Sequence, residues 1–109
     1  MKTLSALALA LLLGANITAM AQEINLQIRL KNHRFEPSEL KAPAGRPIVL
    51  RVINDDASPE EFESKDLRVE RVIAANAESI FKLRPLQPGR YQFFGEFNEA
   101  TAQGSLLVE

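Results

Sequence analysis

The sequence RYQFFGEFNEATAQGSLLV at residues 90–108 contains an aromatic segment typical of a strand, a short polar loop and a final apolar segment. In a small β-sandwich, a loop between the last two strands holds its side chains in positions that the rigid strands fix. The side chains that this loop offers are Glu96, Asn98 and Glu99, without cysteine, histidine or methionine. The donors available here are therefore mainly oxygen atoms.

The preceding residues also predict strands. Apolar and polar residues alternate from Ile24 to Leu30, the period of a strand with one buried face. Residues 48–53 are apolar on both faces along part of their length, which predicts a central strand. Residues 60–64 (EEFES) predict a short strand that turns Phe62 inward and its two neighbouring glutamates outward. Recurring strand-sized segments separated by turn residues predict an all-β sandwich.

The amino terminus has the pattern of a secretory signal peptide. Lys2 precedes an apolar run from Leu4 to Leu13, and residues 19–21 (AMA) form a small-x-small cleavage site. We expect cleavage before Gln22, so that residues 1–21 are the signal peptide and residues 22–109 are one domain in the periplasm. The alternative, an uncleaved membrane anchor, is disfavoured because polar residues interrupt the apolar run before it reaches spanning length.

Composition excludes several classes of function. The chain has 13 basic and 14 acidic residues, and no basic patch with interleaved aromatics, so nucleic acid is a poor candidate partner. The absence of cysteine excludes disulfides, thiolate metal sites and cysteine nucleophiles. A lone histidine, His33, supplies no nucleophile-base pair, so the sequence predicts that the protein is not an enzyme.

Four motifs carry a resemblance to a known family: FEPSELKAPAG at 35–45, VINDD at 52–56, PGRYQFF at 88–94 and GSLLV at 104–108. In this order they resemble the cupredoxin-like domains, and within that broad fold they are similar to EfeO-type proteins associated with bacterial iron uptake. The resemblance covers nearly all of residues 22–109. It implies a Greek-key β-sandwich, cupredoxin-like, of about seven to eight strands.

The resemblance does not bring a blue-copper centre with it. Blue-copper members bind the metal through two histidines, a cysteine and a weak axial methionine. Carried over by position, the first histidine falls near Glu60 or Glu61 and the cysteine falls at Gly95. The second histidine falls at Asn98 and the methionine near Ala102, so none of the four ligands is present. A type-one copper centre needs the thiolate, so blue-copper electron transfer is excluded.

The resemblance also implies a set of candidate metal ligands. EfeO-type relatives have an acidic segment like residues 59–63 and a tail loop like residues 94–104, and the sandwich brings such segments to one end of the domain. Relatives often have histidine where this chain has Asn98 and can have it at Lys65, and both departures weaken metal binding. Oxygen ligands remain available for Fe³⁺, Mn²⁺ or Ca²⁺. The candidate ligands are the following: Glu61, Glu63, Glu96 and Glu99, with Asn98 as a weak neutral donor.

Two functions follow from this reading, and both stay open. The first is an accessory role in metal-ion handling, with iron favoured over copper and an inner-membrane iron permease or a periplasmic protein as partner. The second is a metal-free interaction module that docks on a transporter or another envelope protein. The glutamates themselves have a simpler interpretation as well, in which they are solvated loop charges paired with Lys65, Arg68 or Arg71.

Overall fold

Nine strands form two sheets within residues 22–109, the part of the chain that the computed structural model describes. The signal-peptide prediction falls on residues 1–21, outside the described residues. Within the described part, no helix combines the length and the apolar character that crossing a membrane requires. The strands, in chain order, are β1 Ile24–Lys31, β2 Arg34–Glu36, β3 Glu39–Ala42, β4 Ile48–Asn54, β5 Glu60–Ser64, β6 Val69–Ile73, β7 Glu78–Leu83, β8 Gly89–Gly95 and β9 Gln103–Val108.

The strands are ordered β2-β1-β4-β7 in the four-stranded sheet and β3-β9-β8-β5-β6 in the five-stranded sheet. Two neighbouring pairs, β1 with β4 and β3 with β9, run parallel, and the other pairs run antiparallel. Parallel neighbours need a connection that crosses to the other sheet and back. The fold class predicted from sequence, an all-β cupredoxin-like sandwich, is confirmed.

The core lies between the inner faces of the two sheets and is centred on phenylalanines. Phe62 is fully buried, and its ring lies 5.9 Å from that of Phe35, 5.1 Å from Phe81 and 5.3 Å from Phe93. Tilted and edge-to-face pairs at such distances add to the stabilisation that burial provides. Phe62 therefore links residues of both sheets at the middle of the sandwich.

Two details differ from the sequence prediction. Residues 22–109 form nine strands rather than about seven to eight, and residues 34–36, which the alternating pattern does not predict as a strand, pair with β1. Phe97 continues the spacing of Tyr91 and Phe93, which predicts aromatic packing on one face of that strand, but its side chain is 52% exposed. It lies in a single 3₁₀ turn, Glu96–Asn98, which ends the alternation of β8.

The central position of Phe62 predicts a large effect of its truncation. We expect Phe62→Ala to lower the free energy of unfolding by about 3–5 kcal/mol, because the change removes buried apolar surface and leaves a cavity. Phe97→Ala is the control and should cost less than about 1 kcal/mol, since that ring is half in solvent. Urea denaturation followed by circular dichroism measures both, and equal losses would contradict this account of the core.

Candidate functional site

The alternation of side chains along β5 directs its residues to two different places. Phe62 points into the core, and Glu60 and Ser64, each two residues away, share that face and are buried. Glu61 and Glu63 lie between them, and so they point to the outer face of the five-stranded sheet and are half-buried. A single strand thus presents carboxylates on both of its faces.

Two further glutamates join Glu61 and Glu63 on the outer face. Glu70 of β6 is directly opposite Glu63, and Phe94 of β8 is opposite Glu63 on the other side. Glu96 follows Phe94 by two residues and lies on the same face. Each of the four glutamates offers one carboxylate oxygen, and these oxygens all lie within 4.8 Å of one another. We call these four residues the outer acidic cluster.

The proximity of these carboxylates changes their proton affinity. Hydrogen bonding with Glu96 and Glu70 raises the pKa of Glu61 from 4.5 to about 8, and desolvation and the charges of the same two neighbours act in the same direction. Partial desolvation, followed by the charges of Glu96 and Glu70, raises the pKa of Glu63 as well, although Lys65 opposes the shift. Converging carboxylates repel one another, and a shared proton relieves part of that repulsion.

Arg71, one of the basic side chains expected to pair with these glutamates, is engaged elsewhere. Arg71 faces the inner side of β6, where its guanidinium donates to Ser79 Oγ at 2.6 Å and to the Ile80 carbonyl at 3.1 Å, and stacks over the Phe81 ring. The ion pairs within residues 22–109 join Arg29 with Asp55, Arg51 with Glu78 and Arg90 with Glu39. None of these pairs includes a glutamate of the outer acidic cluster.

The structure therefore brings three of the five predicted ligands together and leaves two apart. Glu61, Glu63 and Glu96 meet, whereas Glu99 lies outside the cluster because the 3₁₀ turn carries the chain away from the sheet. Asn98 is also outside it, since its side chain turns to Glu60. Whether any of these residues binds a metal stays a prediction.

Sequence reasoning missed Glu70. Glu70 lies in the strand that directly follows β5 in the sequence. A hairpin of these two strands can place an outward glutamate of β5 opposite Glu70. The register that places Glu70 opposite Glu63 depends on the four-residue connection between the strands, which the apolar pattern alone does not fix.

A second constellation lies at the end of the sandwich, where β5 begins and β8 ends. The Asn98 side chain donates to Glu60 Oε2 at 2.6 Å. A Cβ atom placed on Gly95 would lie 2.6 Å from Glu60 Cδ and 2.8 Å from Ala102 Cβ. These four residues are the ones that the cupredoxin resemblance assigns to the copper ligands, and they do converge. We call them the inner pole.

The inner pole does not fit a copper ion. It contains no thiolate, imidazole or thioether, the ligands that such a centre requires. The groups directed at the centre of the pole are N–H donors, and the Glu60 carboxylate already accepts from them. An amide N–H cannot ligate a cation, so this set of residues opposes metal binding there.

Two stacked sheets with this strand order, with the loop between β8 and β9 at one end, define a cupredoxin-like domain. The model of the family described as "Cupredoxin-like domain" matches residues 3–108, and the chain belongs to that family. An uncharacterized protein of Rickettsia prowazekii is 38% identical over 85 residues, which are 78% of this chain and 68% of the relative.

Solved structures show the same fold at low sequence identity. The metal-binding domain of the Cu(I)-exporting P-type ATPase CopA of Streptococcus pneumoniae, solved with Cu(I), superimposes with a TM-score of 0.68 at 16% identity, covering 83% of this chain and 98% of that one. Auracyanin A, a blue copper protein of Chloroflexus aurantiacus, gives 0.69 at 15% identity over 81% and 100% of the two chains. The fold is thus shared with copper-binding proteins.

The raised pKa of Glu61 predicts how stability depends on pH. The pKa of Glu61 is about 8 in the folded protein and 4.5 in the unfolded chain. Protonated Glu61 therefore contributes its full amount to the free energy of unfolding below pH 4.5, and this contribution is lost as pH rises through about 8. We expect Glu61→Gln, which mimics the protonated group, to reduce this loss. The measurement is the free energy of unfolding at several pH values without added metal.

Glu99→Gln is the matched control, because Glu99 is an exposed glutamate outside the cluster. It should leave the pH dependence of the wild type unchanged. The same pH profile for wild type and Glu61→Gln would show that the carboxylates do not share a proton.

Proposed function

We propose that the protein is a periplasmic accessory in metal-ion handling that binds a hard or borderline cation through the outer acidic cluster. The observation that carries the proposal is the convergence of four carboxylate oxygens within 4.8 Å, on half-buried and exposed glutamates. Bringing four such groups together is unfavourable unless a cation or a proton offsets the repulsion. Iron is the proposed ion, with copper second, in keeping with the EfeO-type resemblance.

The ligand chemistry supports iron over copper. Carboxylate oxygens suit Fe³⁺, Mn²⁺ and Ca²⁺, whereas Cu(I) prefers thiolate and thioether ligands. The four glutamates offer four carboxyl groups on three neighbouring segments, namely β5, β6 and the 3₁₀ turn after β8. Such a set favours a cation of high charge, and it provides none of the soft ligands needed for electron transfer through copper.

A cation at this cluster competes with the shared proton. The hydrogen bonds that raise the pKa of Glu61 to about 8 also mean that a metal must displace a proton there at neutral pH. Affinity for the cation is therefore expected to increase as pH rises toward 8.

Titration calorimetry of the purified protein tests the proposal, with Fe³⁺ as its citrate complex and with Mn²⁺ and Cu²⁺ added separately. We expect Glu61→Gln/Glu96→Gln to lose at least about tenfold in affinity for the preferred ion, because each change replaces a charged ligand with a neutral one. The Glu99→Gln control should bind as the wild type does. Equal affinity in all three proteins, or no binding at all, would refute the proposal.

An interaction module that docks on an envelope protein is the second candidate function. Val72, which is opposite Glu61 on the outer face, is 55% exposed, and Phe97, next to Glu96, is 52% exposed. Exposed apolar residues beside charged groups resemble the composition of a binding surface.

Affinity capture from periplasm, with and without chelator, separates the two functions. If the protein is a metal-free module, capture of a transporter or other envelope protein should be unaffected by chelator and should weaken in Val72→Ser. Capture that disappears with chelator would instead indicate that the cation is needed.

A further inference from the structure

Glu60 is a buried carboxylate in a place where the fold is otherwise apolar. Only 2% of the residue is exposed, and it shares the inner face of β5 with Phe62. A carboxylate is rarely buried to this extent unless hydrogen bonds or opposite charges satisfy it. What satisfies Glu60 is therefore informative about the inner pole.

Three donors converge on the two oxygens of Glu60. Oε1 accepts from the backbone N–H of Phe97 at 2.8 Å and of Glu61 at 3.1 Å, and Oε2 accepts from the Asn98 side chain at 2.6 Å. Two of these donors belong to the 3₁₀ turn that follows β8. Glu60 thus ties the start of β5 to the loop between the last two strands through hydrogen bonds to a charged group, which are stronger than neutral ones.

Gly95 and Ala102 pack closely around the Glu60 carboxylate. Gly95 has no side chain, and a Cβ there would lie 2.8 Å from Glu60 Oε2 and 2.8 Å from Ala102 Cβ. A cysteine at Gly95, where the resemblance places the copper thiolate, would collide with Glu60. The buried position of Glu60 therefore requires a residue without a side chain at position 95.

We infer that the Glu60 carboxylate takes the structural place of the metal ion in the inner pole: it links β5 to the loop after β8 and closes the pole to copper. In a copper centre, a cation joins ligands from separate segments of the chain. Here an anion joins N–H donors from the corresponding segments. The inference is independent of the outer acidic cluster, because Glu60 lies on the opposite face of β5.

Amide hydrogen exchange tests the linking role. In Glu60→Gln the exchange of the Phe97 amide should become at least about tenfold faster, because the amide loses a charged acceptor. In the control Glu36→Gln, which changes the same residue type at an exposed position of β2, that exchange should stay within about twofold of the wild type. The same rate in Glu60→Gln and in wild type would overturn the inference.

A second variant decides the matter if Glu60→Gln does not fold. Asn98→Ala removes one donor from the carboxylate and leaves the backbone contacts in place. It should accelerate exchange of the Phe97 amide by about threefold or more, since the carboxylate is then held less firmly. An unchanged rate in Asn98→Ala would count against the linking role.

Paramagnetic Cu²⁺ tests whether the inner pole is closed to copper. The Glu61→Gln/Glu63→Gln variant weakens the outer acidic cluster, so that copper added to it reports on other sites. One equivalent of Cu²⁺ should leave the amide signal of Ala102 in the NMR spectrum unbroadened, whereas the amides of Gly95 and Phe97 flank Glu96 and also respond to copper at the outer acidic cluster. Broadening of Ala102 at least as strong as that of Phe97 would place copper in the inner pole and refute the closure.

Discussion

The burial of Phe62 between the two sheets determines which way every residue of β5 faces. With Phe62 fixed by the rings of Phe35, Phe81 and Phe93, the strand cannot slip by one residue without turning a phenylalanine into solvent and two glutamates into the core. The cost of such a slip, several kcal/mol, is comparable to the entire stability of a small domain. The positions of the carboxylates are thus consequences of packing.

Adjacent glutamates on this strand have opposite environments and therefore different chemistry. Glu60 is buried, and protein N–H groups donate to both of its oxygens. Glu61 is on the sheet surface, where its neighbours are other carboxylates and where the pKa is raised to about 8. Hydrogen bonds within the fold stabilise the Glu60 carboxylate. The Glu61 carboxylate has carboxylate neighbours instead, so protonation or cation binding stabilises it.

Much of the architecture could be predicted from the sequence, and the site only in part. Period-two alternation and turn residues fix the strands, and the outward direction of Glu61 and Glu63 follows from Phe62. Placing Glu70 in the cluster required the register between β5 and β6. Glu99 was predicted as a ligand but lies outside the cluster, because the 3₁₀ turn at Glu96 ends the alternation of β8. For Glu60 the resemblance indicates only that a copper histidine falls there or at Glu61. Its burial depends on contacts with residues 95–102, which are distant in sequence.

The position of the outer acidic cluster on the sheet surface determines which ligands a bound ion would have there. A copper ion in a cupredoxin is held by ligands whose arrangement and softness set its redox properties. An ion at the outer acidic cluster would have only oxygen ligands, two of them on exposed glutamates, and water could reach the rest of its coordination shell. Under the proposed function, such a surface site would suit the capture and transfer of a cation, because release to a partner would require no opening of the core.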